Sequence, residues 1–339
     1  MKIDFKSDNI MNLYCLWLGA MGQNSDEVLS AFNDEAILKI KEAIPKKEAI
    51  PEFFSSETFT SLKQLQAEIV DGNIKDIEGF CASIKEKFPN YAQRMIPAFK
   101  TSFKALSDFY GTTETSAEQI KAQGVLNEEQ GKYLDLLNKM ASFYGVEGEQ
   151  NIPCYITIYP DKKFNDGQAY QDAFQVSYSL EKDKDGYANN TIVPVRKMST
   201  PFHESSHYLL NRSPSYLNIK EGTCLSGMYK SLNRYFEQNP QEKQNGGSSL
   251  NAIHEAFAAC ATALYLQEVR RQPLVPGRTW YHGFEAANKL APKIYPRFRD
   301  YVLNGKTIDD KFFEGLNIDL NQKTVDNKRL AEATQKMGR

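Results

Sequence analysis

Apolar positions recur every three or four residues through most of the first 148 residues, the spacing of helices that bury one face. The pattern predicts helices over Asp26–Phe32, Ser61–Val70, Ile74–Phe88, Tyr91–Tyr110 and Glu128–Tyr144. Ser25 and Asn127 precede acidic first turns and are the expected N-caps of the first and last of these. The apolar stretch Ile10–Gly22 is interrupted by Asn12. It is too short to span a bilayer and reads as a further buried helix. The pentapeptide KEAIP occurs twice, at Lys41–Pro45 and Lys47–Pro51, and marks a proline-punctuated connector.

The period changes near residue 152. Cys154–Tyr159, Ala173–Leu180 and Thr191–Val195 are β-branched and aromatic runs. In the second, Phe174, Val176, Tyr178 and Leu180 share one face, and Asp185-Gly186 marks a turn before the third. Pro194 makes the third an edge strand, and an edge can bind an extended peptide. The expected fold is α+β and predominantly helical, with a small mixed or antiparallel sheet. A helical N-terminal region occupies residues 1–150 and an α+β region residues 151–339.

Composition narrows the function classes. The chain of 339 residues carries 41 Lys plus Arg against 43 Asp plus Glu, a formal charge of −2. Such a balance gives no reason to expect nucleic acid or an anionic membrane as partner. Arg270-Arg271 and Arg297–Arg299 are short and flanked by acids, which is not a basic stripe. No GxGxxG follows a strand, and neither GxxxxGK[ST] nor GxSxG occurs. The five cysteines are scattered without a CxxC, so they read as reduced core thiols and not as a disulfide framework. Asp4 and Asp8 balance Lys2 and Lys6, so the first residues lack a basic leader. The expected location is cytoplasmic, with leaderless export as the alternative.

Only four histidines occur, His203, His207, His254 and His282. The first two lie in Ser199-Thr200-Pro201-Phe202-His203-Glu204-Ser205-Ser206-His207, an HExxH motif. Chance would supply about 0.003 matches in a chain of this composition. Thr200 followed by Pro201 is the expected N-cap and first helical residue. Four residues separate the histidines, so their side chains are offset by about 40° and one turn, and both imidazoles can reach one ion. Glu204 stands about 100° round from His203, beside the ion and in reach of a water on it, where a general base belongs. Zinc is the expected cofactor, because two imidazoles leave room for a third protein ligand and a water.

Strand runs, an edge strand and HExxH on a proline-started helix resemble the zincin metallopeptidases. In the metzincin branch the motif continues to a glycine and a third histidine, and here Leu210 and Ser213 hold those positions. The resemblance is therefore to the gluzincin branch, which implies a third zinc ligand from a glutamate on a later helix. Glu255 is the favoured candidate, 48 residues after His207 in an alanine-rich helix with a Gly246–Ser249 lead-in. The segment His254–Ala258 is similar to the Asn-Glu-Ala segment of thermolysin-like enzymes. Glu221, 14 residues after His207, is the alternative. The resemblance also implies a donor to the developing oxyanion, for which Tyr281 and His282 are the candidates.

The resemblance spans residues 152–315 and implies a sheet lying next to the HExxH helix. It implies a zinc metallopeptidase in which Glu204 takes a proton from zinc-bound water as that water attacks a peptide bond. The partner expected is a peptide or protein substrate, with no nucleic acid and no membrane. The competing reading is a catalytically inactive zincin-like protein that binds a partner.

Overall fold

A computed structural model describes residues 1–14, 56–110, 113–146, 148, 151–159, 166–169, 173–179, 198–217, 222–244, 248–274, 285–314 and 316. The elements are predominantly helical. They run β1 (Lys2–Lys6), α1 (Ser56–Val70), α2 (Ile77–Lys87), α3 (Pro89–Tyr110), α4 (Thr113–Phe143), β2 (Asn151–Tyr159), β3 (Asp166–Ala169) and β4 (Phe174–Ser179). There follow α5 (Thr200–Leu210), α6 (Pro214–Leu217), α7 (Cys224–Gln238), α8 (Pro240–Gln244), α9 (Ser249–Glu268), α10 (Glu285–Leu303) and α11 (Asp310–Phe313). Among the described residues no helix is long and apolar enough to cross a membrane. The four described cysteines, Cys81, Cys154, Cys224 and Cys260, are free thiols.

The chain divides into two compact units that do not follow chain order. One comprises Ile3–Gln130 and Asn151–Met198; the other comprises Met1–Lys2, Gly131–Gln150 and Ser199–Arg339. Helix α4 belongs to the first up to Gln130 and to the second from Gly131. It begins fifteen residues before the expected Glu128, so Asn127 lies inside a helix and caps nothing.

The first unit holds a small sheet of order β1-β2-β4-β3. Its principal pair, β2 with β4, is parallel, in register Cys154↔Phe174 through Tyr159↔Ser179, where a mixed or antiparallel sheet was expected. The short β3 runs antiparallel on the far side of β4, with Ala169 opposite Phe174. Burial explains the parallel pairing: Ile152, Cys154, Tyr155, Ile156 and Thr157 are all buried, so both faces of β2 are covered. Thr191–Val195, Asp185-Gly186 and the expected helix Asp26–Phe32 lie outside the described residues.

Strand β1 falls where only helices were expected. Lys2-Ile3-Asp4-Phe5-Lys6 alternates strictly, and Ile3 and Phe5 are buried while their neighbours face outward. As an outer strand it exposes one row of backbone groups, and glutamines of α4 cover them. Gln130 accepts from the Ile3 amide and donates to the Ile3 carbonyl (3.0 Å), and Gln123 donates to the Phe5 carbonyl (2.6 Å). An edge so covered cannot recruit another strand.

The second unit is helical. Helix α9 is its axis, packed against α5 on one side and α10 on another. Ala252, Ala256, Ala258, Ala259, Ala261 and Ala263 are all fully buried along it, and such small side chains let helix backbones approach closely. Phe257 of α9 joins Phe143, Phe298 and Phe312 in an aromatic core, with ring centroids 5.8 to 6.3 Å from it. Ser248 caps α9 by accepting from the Asn251 amide (3.1 Å). Gly145, at a φ of 69°, ends α4 in the left-handed turn that glycine adopts without strain.

Candidate metal centre

The site starts from the local geometry of α5. The helix begins at Thr200, with Ser199 in the cap position and Pro201 in the first turn. The cap expected at Thr200 is thus one residue early, and Ser199 makes no side-chain cap bond. Pro201 costs nothing there, because first-turn amides have no intrahelical acceptor to lose.

Two adjacent stripes of α5 do different work. Phe202 sets its ring edge-on to Tyr133, centroids 5.3 Å apart, and lies 6.0 Å from Tyr265. Ser206, one turn on, shares a 2.6 Å hydrogen bond with the Tyr144 hydroxyl, and both are buried. Burial pushes the Tyr144 phenol well above its ordinary range, so the hydroxyl stays protonated. This stripe fixes the rotation of α5 about its axis. With that rotation fixed, the neighbouring stripe presents His203 and His207 to Glu255 of α9.

The three side chains converge. His207 Nε2 is 3.7 Å from Glu255 Oε1, and His203 Nε2 is 4.0 Å from Glu255 Oε2. One ligand atom from each of His203, His207 and Glu255 lies within 4.8 Å of the other two. An ion in tetrahedral coordination with bonds of about 2.0–2.1 Å holds its ligands roughly 3.4 Å apart, so the group is nearly closed around a position for one cation. Two imidazoles and one carboxylate suit zinc or another late first-row divalent ion. The supporting contact also fits: His203 Nδ1 is 3.0 Å from Thr262 Oγ1, which leaves Nε2 as the nitrogen facing the group.

Glu204 is buried, 4% exposed, with Oε1 4.0 Å from His203 Nε2. It is not one of the three converging residues, and it stands beside the two histidines on the same helix. His254 stacks its ring on that of His207, centroids 5.7 Å apart and planes 14° apart, while Tyr216 meets its edge at 5.2 Å. Burial lowers the His254 pKa to about 4, so at neutral pH it is an uncharged packing ring behind His207.

The structure therefore gathers His203, Glu204, His207 and Glu255 at one place. Glu221, Tyr281 and His282 lie outside the described residues. Thr262 was missed by the reading of the sequence. Its signal was available, since it sits seven residues after Glu255 and so on the same helical face. Compared with known proteins, the chain matches no family model, no curated protein and no solved structure.

Proposed function

We propose that this chain is a zinc-dependent metallopeptidase with a zincin-like fold, acting on a peptide or protein substrate. The observation that carries the reading is the convergence of His203, His207 and Glu255 with the buried Glu204 alongside. A divalent cation in such a group polarises a carbonyl and makes water more acidic. The remaining work falls to the chain's own residues. His203 and His207 present their Nε2 nitrogens toward Glu255 from one helix. Glu204 accepts a proton from attacking water at its carboxylate and returns it to the leaving amine, so the residue ends each cycle as it began. Tyr281 and His282 are proposed as donors to the oxyanion, supported by their place in the chain after the ligand helix.

Elemental analysis and a peptide-library digest test the proposal together. Wild-type protein is expected to hold about one equivalent of zinc, as a single three-residue site allows, and to cleave a subset of the library. Glu204→Gln is expected to keep the metal and to lose about 10²–10⁴-fold in cleavage rate, the worth of a positioned acid–base group. Zinc-free wild-type protein that takes up none on titration would overturn the reading. Full zinc occupancy with no cleavage of any peptide would leave a metal-holding binding protein in its place.

A further inference from the structure

Glu255 and Thr262 stand seven residues apart on α9, on nearly one face and about 10.5 Å apart along the axis. Between them on that face lie Ala258 and Ala259, both fully buried and too small to fill the gap. The imidazole of His203 meets both ends of this stretch. Its Nε2 is 4.0 Å from Glu255 Oε2, and its Nδ1 is 3.0 Å from Thr262 Oγ1. One helix therefore addresses both nitrogens of a single ring that is carried by another helix.

A neutral imidazole has one proton and one lone pair. With the proton on Nε2, an N–H faces Glu255 and His203 has no lone pair to offer a cation there. With the proton on Nδ1, the Thr262 hydroxyl accepts it and the Nε2 lone pair faces the group. We propose that Thr262 is the positioning residue of the metal site, accepting the Nδ1–H of His203 and so holding that ring in its metal-binding tautomer and orientation. The inference rests on the metal-binding reading above. A hydroxyl differs from a carboxylate in this role because it can also donate. The same bond then serves the metal-free ring in its other tautomer.

The test uses full-length protein and zinc alone, with affinity read by competition against a chromophoric chelator. Thr262→Val keeps the shape of the side chain and removes the hydroxyl, and zinc affinity is expected to fall about 10–100-fold, the usual cost of losing a ligand's outer partner. Thr262→Ser restores the hydroxyl and is expected to stay within about threefold of wild type. With ¹⁵N-labelled histidine, only four residues report. In zinc-loaded wild type the His203 Nδ1–H is expected to be protected from exchange, and in Thr262→Val that protection is expected to be lost.

Equal zinc affinity in wild type and Thr262→Val, with matching circular dichroism, would overturn this inference alone. So would a natively folded Thr262→Ser weakened as much as the valine variant. Should the valine variant not fold, an unprotected Nδ1–H in zinc-loaded wild type overturns it, and a protected one with rescue by serine supports it. A wild type that binds no zinc overturns the function proposed above and this inference with it.

Discussion

Glu68 and Glu255 are carboxylates of similar exposure, 33% and 29% of the side chain, one in each compact unit. The unit containing the sheet meets its acid with fixed donors: Lys87 Nζ at 2.6 Å and Ser83 Oγ at 2.5 Å. Burial pushes the Glu68 pKa up, but the hydrogen bonds from Lys87 and Ser83 and the Lys87 charge outweigh it and hold the group below its ordinary value. In the helical unit Glu255 instead faces two imidazole nitrogens at 3.7 and 4.0 Å, beyond hydrogen-bond length. A carboxylate closed by an ammonium is scaffold. One that shares a space of ionic size with two imidazole nitrogens can hold a cation, because an ion there satisfies all three groups together.

Substituting both acids tests that contrast most severely. Glu255→Ala removes a direct ligand and is expected to weaken zinc binding by more than about 100-fold, since an outer partner alone is worth about 10–100-fold. Glu68→Ala is expected to leave zinc binding unchanged in the same competition assay. If the two variants bind zinc alike, Glu255 is a structural acid like Glu68 and the contrast fails.

A second comparison lies within α5. Ser206 stands between two proposed ligands, yet its bond to Tyr144 belongs with the structural kind. Tyr144→Phe leaves a buried hydroxyl without its partner and is expected to cost about 1–3 kcal/mol in urea denaturation. Zinc affinity, measured on the folded protein, should move by less than about threefold if α5 remains anchored by its apolar stripe.

The smallest effect is the pH dependence of the Glu68 cluster. Because its folded pKa is depressed, the unfolded state takes up protons first as pH falls. The stabilisation is complete above the ordinary value of 4.5 and is lost as pH drops through the lower folded value. Glu68→Gln is therefore expected to be less stable than wild type by about 0.2–1 kcal/mol at pH 7, a magnitude discounted for solvent screening. Urea denaturation should show the gap closing below pH 4.5. A gap that widened in acid would mean that the charge on Glu68 is not what the cluster stabilises.

Local signals were legible where one element carried its own punctuation. Helix α9 could be read from its serine cap and from the Arg270-Arg271 and Pro273 that follow it, and α5 from Pro201 and the histidine spacing. The start of α4 was not legible, because Gly124 and Gly131 weaken its intrinsic helicity. Its first half is held instead by glutamine bonds to β1 at a separation of more than a hundred residues. Strand β1 alternates clearly, but five residues are too few to outweigh an otherwise helical neighbourhood. The pairing of β2 with β4 left no mark on either run, since register and direction depend on the partner.

The same division holds at the site. The amino-acid order determined that His203 and His207 share a face and that Glu204 stands beside them, because the pitch of a helix converts spacing directly into direction. It also placed Glu255 and Thr262 on one face of another helix. Only the tertiary structure decided that these two faces meet, with Glu255 on one nitrogen of the His203 ring and Thr262 on the other. That decision is non-local. It follows from the small side chains along α9 and from the Phe202 and Ser206 contacts that fix the rotation of α5, and no spacing within either helix encodes it.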